Sequence, residues 1–449
     1  MKRSALVLIL LSIAISACWA EDWLTIYNDD LSLVRSQFEV DLEKGNQAYN
    51  YDQITSRIES ASVIVTPLKD PIVVAEQNYE YDLANTAQIM LKYIDREVAI
   101  ITKDQSNYVG MMRFFDGQSI GLVENSTKKL LMISNSEVQV IRLAELPPNF
   151  YTKPTLHWNL IAPKKGKYPL QLTYLTGGFS WNVTYNTIWD GKKLIFNSWV
   201  TIGNTSGRGF ENVNLKLIAG EVNKIQQNYY GGRSGMAKQT MMENSMADAA
   251  APEFSEKAFH DFHMYTLDQK VSFANNQTKQ IQLFPSKDVK AEGRYEYYLF
   301  GDGVQSIITF KNTAEQGMGI PLPKGTIKVY KMDSDNNLEF IGEDQIDHTG
   351  RNETVRIKTG KAFDLVGKTM VTNQKTVSQR VSERTVQVTM RNNSLENKSI
   401  GVLYQLNPNS KIISSEKPYD TDQNRKVTFM LDIQPNKEVV YSFVERTEY

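Results

Sequence analysis

Trp181-Asn182-Val183-Thr184-Tyr185-Asn186-Thr187-Ile188-Trp189, then Asp190-Gly191, then Leu194-Ile195-Phe196-Asn197-Ser198-Trp199-Val200, is the stretch on which the fold turns. Trp181, Val183, Tyr185 and Trp189 recur on one face at period two, the mark of a half-buried strand. Asp190-Gly191 supplies the positive-φ corner of a short hairpin, and the return strand follows at once. The same alternation recurs at Val138-Gln139-Val140, Val386–Met390, Val427–Leu431 and Val439–Phe443. Turn clusters punctuate it at Asp116-Gly117, Asp333–Asn337 and Asn392-Asn393. The expected fold is mainly β: a multidomain β-sandwich with an immunoglobulin-like C-terminal domain, a small barrel-like N-terminal part and one short helix.

Two stretches depart from the pattern. Leu83 to Arg96 places Leu83, Ala87, Met90, Leu91 and Ile94 at helical spacing, with Asn85 as the cap. Residues 226–256 are rich in Gly, Ser, Met, Ala and Gln and show no period, so they read as a mobile insertion. Between Glu97 and Leu146, five short apolar runs suit a small curled barrel that Pro147-Pro148 ends. The expected organisation is an export signal at 1–20, an N-terminal β region at 21–165, a central β region at 166–299 and a C-terminal sandwich at 300–449.

The export signal rests on Lys2 and Arg3, an apolar run from Ala5 to Ile15, and Ala17-Cys18-Trp19-Ala20. Two processing routes are open: cleavage after Ala20, or a lipid anchor on Cys18, the single cysteine of the chain. The strand-like Trp23–Tyr27 begins at once and leaves no spacer, which favours cleavage. The apolar run is shorter than the ~20 residues of a membrane-spanning helix, so the mature chain is expected to have no transmembrane span. The expected location is periplasmic or secreted. After cleavage no cysteine is left, so an ordinary hydrophobic core must hold the 449-residue chain's domains. A net charge of −1 gives no field that would draw nucleic acid.

Several segments in order carry a resemblance. They are Tyr27-Asn28 with Leu33-Val34-Arg35, Gln77-Asn78-Tyr79, Tyr81-Asp82-Leu83, Gly177-Gly178-Phe179-Ser180-Trp181 and Ala219–Asn223. Pro321-Leu322-Pro323-Lys324-Gly325, Gly342–Thr349 and Gly360-Lys361-Ala362-Phe363-Asp364 follow. Together they resemble the bacterial family related to mucoidy inhibitor A, a domain of unknown function. The resemblance implies an exported β-rich protein of the cell envelope and implies no reaction.

Candidate chemistry is sparse. Glu343, Asp344, Asp347 and His348 form the densest titratable cluster and are the candidate catalytic residues. In an extended segment, Glu343, Gln345, Asp347 and Thr349 share one face, and Asp344, Ile346 and His348 the other. Asp344 and His348 would then lie some ~13 Å apart at ~3.3 Å per residue. The structural reading of the same residues is a turn held by side-chain-to-backbone bonds. His260 and His263, three apart on a strand, point to opposite faces and suit no metal. Gly178-Phe179-Ser180-Trp181-Asn182 lacks the closing glycine of a nucleophile elbow. Trp158, Trp181, Trp189 and Trp199 read as core, with an aromatic binding platform as the alternative. Seven Asn-x-Ser/Thr triplets, such as those at Asn125 and Asn182, read as asparagine-rich β surface. No cofactor and no metal is expected. The leading reading is a non-enzymatic binding or scaffold module with an envelope protein or polysaccharide as partner. The rival is an exported hydrolase or metal-dependent enzyme using residues 343–349.

Overall fold

The structure is a computed structural model that describes residues 21–81, 86–144, 150–220, 222–223, 254–259 and 262–449. The export signal with Cys18, Leu83, the Asn85 cap, Pro147-Pro148, His260 and nearly all of the 226–256 segment lie outside the described residues. The fold is mainly β, built from several sheets with a β-sandwich architecture. Among the described residues no helix is long and apolar enough to cross a membrane. The chain divides into two compact units: residues up to Ser180 with Gly203–Lys216 and Lys270–Gln277, and Trp181–Ile202 with Leu217–Gln269 and Thr278–Tyr449.

In the first unit, one sheet orders Phe210–Ala219, Glu21–Ile26, Ser32–Leu42, Gly166–Thr176 and Ile64–Pro67. Glu21–Ile26 alternates half-buried and buried residues without a break, as its period-two sequence requires. Its hairpin to Ser32–Leu42 turns through Asp29 and Asp30, both at positive φ, the primed geometry that matches strand twist. Gly45–Tyr51, Thr155–Ala162 and Val73–Glu80 form a three-stranded sheet. Stacked rings join the two sheets: Phe38 lies 4.2 Å from Tyr51, which lies 5.7 Å from Trp158. Asp22 is buried, and Arg208 (2.6 Å) and the Ser36 hydroxyl hold its carboxylate oxygens. Arg208 in turn lies 4.4 Å over the Phe210 ring and donates to the Gln53 carbonyl.

The five strands expected to curl into a barrel instead form an open antiparallel sheet. Its order is Val138–Leu143, Glu97–Thr102, Asn107–Phe115, Ser119–Glu124 and Leu130–Ser134. The two edge strands adjoin through the 3-10 turn Asn135–Glu137 but form no ladder with each other. The core that closure would fill with strand side chains takes Met90 and Tyr93, from the helix Thr86–Lys92 and the turn after it. The helix and the turn after it bury Ile89, Met90, Tyr93 and Ile94 in whole or part, whereas Ala87 and Leu91 of the expected apolar stripe face solvent.

In the second unit, the opening hairpin is as the sequence predicts. Gly191 turns at φ +100°, and Asp190 Oδ1 accepts the amides of Lys192 and Lys193. The sheet around it runs Gln277–Gln282, Lys193–Asn204, Phe179–Trp189, Gly325–Met332 and Leu338–Ile346. Phe179–Trp189 and Gly325–Met332 pair in parallel, Val183 opposite Gly325. Trp181 and Trp189 are buried, as Trp158 is in the first unit, so three of the four tryptophans named above are core; Trp199 is half-buried.

The rest of this unit includes a sandwich. One sheet orders Thr354–Lys361, Gln305–Lys311, Glu292–Tyr298, Lys398–Gln405, Lys426–Ile433 and Asp420–Thr421. The other orders Leu365–Ser378, Val381–Asn392, Lys437–Glu448 and Ser410–Ser415. Tyr297, Ile400, Val402, Phe429 and Leu431 of the first sheet interlock with Val386, Val388, Met390, Tyr441 and Phe443 of the second. That shared apolar interior is what makes it a sandwich, because each sheet buries one face on the other.

Two Asn-x-Ser triplets prove to be internal rather than surface. Asn204 and Asn392 are both fully buried at strand ends. Asn392 Nδ2 donates to the carbonyls of Glu396 (2.7 Å) and Ile433 (2.8 Å), and its Oδ1 accepts the Ser394 amide and hydroxyl. Asn204 repeats the arrangement with the Arg208 and Ala274 carbonyls and with Ser206. One side chain thus closes a loop and ties it to another strand's end, satisfying buried main-chain groups that would otherwise lack partners.

Candidate functional site

The acidic cluster is distributed along a strand and the turn that follows it. Glu343 and Gln345 face solvent on Leu338–Ile346, and Ile346 faces the core. Asp344 accepts the Gln345 amide through Oδ1 (2.9 Å) and the Lys358 amide through Oδ2 (2.7 Å). Asp347 is exposed, and its carbonyl accepts the Thr349 hydroxyl. His348 Nδ1 accepts the Lys324 amide at 3.1 Å, so in this arrangement the ring's mobile proton belongs on Nε2. Thr349 and Leu322 exchange both main-chain hydrogen bonds. Among the described residues no group of three or more His, Cys, Asp or Glu side chains is placed to hold a metal ion.

These bonds explain the proline-rich motif. Leu322 is buried, and two buried tyrosines fix the carbonyls beside it: Tyr185 to Pro323 (2.7 Å) and Tyr265 to Pro321 (3.1 Å). Burial pushes both hydroxyls well above the ordinary tyrosine range, so they are protonated donors. Glu256 links His263 (2.8 Å) to Arg351 (2.7 Å), and Arg351 also donates to the Gly319 carbonyl. His263 therefore has a carboxylate partner that its spacing from His260 does not reveal.

The motif 360–364 lies elsewhere, at a cavity of about 340 Å³ that Ile341, just before the acidic cluster, also lines. A β-bulge in each strand builds it. Ile341 is the extra residue opposite Val329 and Tyr330, and Thr359 the extra residue opposite Ser306 and Ile307. Bulges re-aim side chains, and both of these line the cavity. Gly342, at φ +152°, sits against the Thr359 carbonyl so closely that a Cβ would lie 2.0 Å from its oxygen. Gly342→Ala is expected to destabilise this unit by at least about 2 kcal/mol. Urea unfolding of the variant would measure it; an unchanged midpoint would mean the crossing is not this tight.

Two loops rim the cavity. In the first, the Ala362 amide binds the Val304 carbonyl and the Leu365 amide turns back to Ala362, leaving Phe363 at the corner, 97% exposed. In the second, the buried Asn392 closes residues 392–396 and leaves Leu395 88% exposed. The Asn393 amide donates to the Asp364 carbonyl at 2.8 Å, which fastens the loops to each other. Lys361 pairs with Asp302, and Lys398 with Glu396 at 2.6 Å, 5.6 Å from the Tyr295 ring. The hydrogen bond to Lys398 holds the Glu396 carboxyl below its usual range. The Thr359 and Ser394 hydroxyls bind main-chain carbonyls and Asn392, which fixes the loops and activates neither as a nucleophile.

A scan against protein-family models finds no match to this chain, and a search of curated proteins finds none either. The arrangement at hand is two loops joined by one main-chain hydrogen bond, each with one exposed apolar side chain, with ion-paired lysines beside the cavity. Sequence reading passes over Phe363 and Leu395 because hydrophobic periodicity has no meaning in a loop. The available signal is a large apolar residue inside a turn of polar neighbours, as in Phe363-Asp364 and Ser394-Leu395-Glu396.

Proposed function

We propose that this chain is an exported, non-enzymatic envelope protein whose C-terminal sandwich, immunoglobulin-like in character, docks a partner protein. The observation that carries this reading is the exposure of Phe363 and Leu395 on two loops fastened together at one cavity. Loops already fastened to each other need little further backbone ordering on binding, and a few side chains buried on association carry most of an interface's energy. Ion pairs at the rim, Lys361–Asp302 and Lys398–Glu396, suit a polar margin around them. A polysaccharide partner is less well matched, since Leu395 offers a sugar neither a ring face nor a hydrogen bond. Export and kinship with the mucoidy-inhibitor-A-related family belong to the same proposal, supported by residues 1–20 and by the ordered motifs. Cleavage after Ala20 is the favoured route over a lipid on Cys18. No observation favours the hydrolase reading, because Asp344 and His348 accept main-chain amides.

The test places a photo-crosslinking phenylalanine analogue at position 363 in intact cells. One discrete envelope protein is expected on the crosslink, and Phe363→Ser with Leu395→Ser is expected to abolish its capture. Both side chains lie outside the core, so the double variant keeps its unfolding free energy to within about 0.5 kcal/mol. A crosslink to nothing, or capture undiminished in the double variant, sinks the proposal.

A further inference from the structure

The strand Leu365–Ser378 begins at the cavity and is the edge of its sheet. It is 14 residues long and, among the described residues, pairs on one side only, with Val381–Asn392. Edges of this length present a row of unpaired main-chain donors and acceptors, and proteins ordinarily shorten or cover them. This one carries Lys368 and Lys375, has no acidic residue, and leaves Met370 57% and Val371 40% exposed.

The bulge at Thr372 decides what the edge displays. Residues seven apart on a regular strand point to opposite faces. Here Lys368 lies opposite Thr389 and Lys375 opposite Glu383, six apart on the partner strand, so both lysines share the solvent face. Met370, opposite Gln387, lies between them on that face. Val371, opposite the buried Val386, lies on the inner face. Glu383 is already bound to Arg446, and neither lysine forms an ion pair with another described residue.

We infer that this free edge takes an extended acidic segment of a partner polypeptide as an added strand. The inference rests on the docking reading and names the chemistry of the partner. Main-chain bonding to the edge supplies affinity, and alternate side chains supply selection. Read from Lys375 toward Lys368, an antiparallel added strand meets the edge with carboxylates at its first and seventh positions. It meets Val371 and Met370 with apolar residues at its fourth and fifth. Two copies of this edge are a poor match, because each brings only lysines to the other.

The probe is a synthetic peptide, Thr-Glu-Thr-Thr-Val-Val-Thr-Glu-Thr, added to the full chain. Expected results are binding, slowed amide exchange confined to residues 365–378, and affinity about ten-fold weaker after Lys368→Glu with Lys375→Glu. The same peptide with lysines in place of its glutamates is expected to bind the double variant better than the parent. No binding, protection elsewhere in the chain, equal binding of both peptides, or self-association of the chain along this edge would each overturn the inference. Phe363→Ser with Leu395→Ser is expected to leave peptide binding intact. Failure of the loop tips and failure of the edge are therefore separate results.

Discussion

Arg384→Met is expected to destabilise the C-terminal sandwich by about 3 kcal/mol, because it leaves a buried carboxylate without its cation. Glu445 is 1% exposed, and its Oε2 accepts Arg384 Nε at 2.6 Å and the Tyr404 hydroxyl at 2.8 Å. Its Oε1 is buried without a hydrogen-bond partner among the described residues. Arg384 also donates to the Tyr404 hydroxyl, so a strand of each sheet meets in one polar knot inside an apolar core. Burial, with Glu445 second, pushes the Tyr404 hydroxyl up to about 12, so it stays a donor. The figure is set at the low end of the range for buried pairs because Arg384 is a third exposed.

A second substitution identifies the cause. Adding Glu445→Gln removes the stranded charge and is expected to restore most of the loss at neutral pH. Urea unfolding of the single and double variants would check this, and a deficit that Glu445→Gln does not relieve would point to lost packing instead.

The second large effect is expected from Asn392→Leu, again about 3 kcal/mol, with loss of the proposed docking tip. The substitution strands the Ile433 carbonyl and the Ser394 amide, and leaves the Glu396 carbonyl only its bond from the Ser394 hydroxyl. Unmet buried groups cost roughly 1–3 kcal/mol each, and part of this loop can turn to water to recover some of it. Leu395 then loses the closed loop that presents it, and the Asn393–Asp364 bond to the Phe363 loop loses its support. Crosslinking from position 363 is expected to fall even at temperatures where the variant is folded. Asn204→Leu, which breaks the equivalent closure in the other unit, is expected to cost similar stability and leave crosslinking unchanged. Equal loss of crosslinking in both variants would show a general folding defect.

Most strands are legible in the chain because alternation is local. Val386-Gln387-Val388-Thr389-Met390 must turn Val386, Val388 and Met390 the same way wherever it lies, and the core claims those three. Turn chemistry is equally local, as Asp190-Gly191 shows. The helix is partly legible: its existence follows from the spacing, but which stripe it buries depends on the sheet beneath it. The role of the acidic cluster is beyond local reading for a related reason. Density of titratable residues suggests a site, whereas Asp344 and His348 are engaged in holding the Lys358 and Lys324 amides. Asn392 misleads in the opposite direction, since a polar triplet that looks like surface is one of the most buried points of its sandwich.

By itself the sequence determined that this is a chain of alternating strands with tight turns and a core rich in large aromatics. Only the tertiary structure decided that Val183 lies beside Gly325, that the five short strands stay open, and that Leu365–Ser378 is an edge. It alone decided that the bulges at Ile341 and Thr359 line a cavity together with Phe363 and Ser394. The physical reason is the range of each effect. The direction of a side chain along a strand is set by its immediate neighbours in the chain. Partner, register and burial are set by which distant strand it joins, where the free energy of the whole sheet, and no single segment, makes the choice.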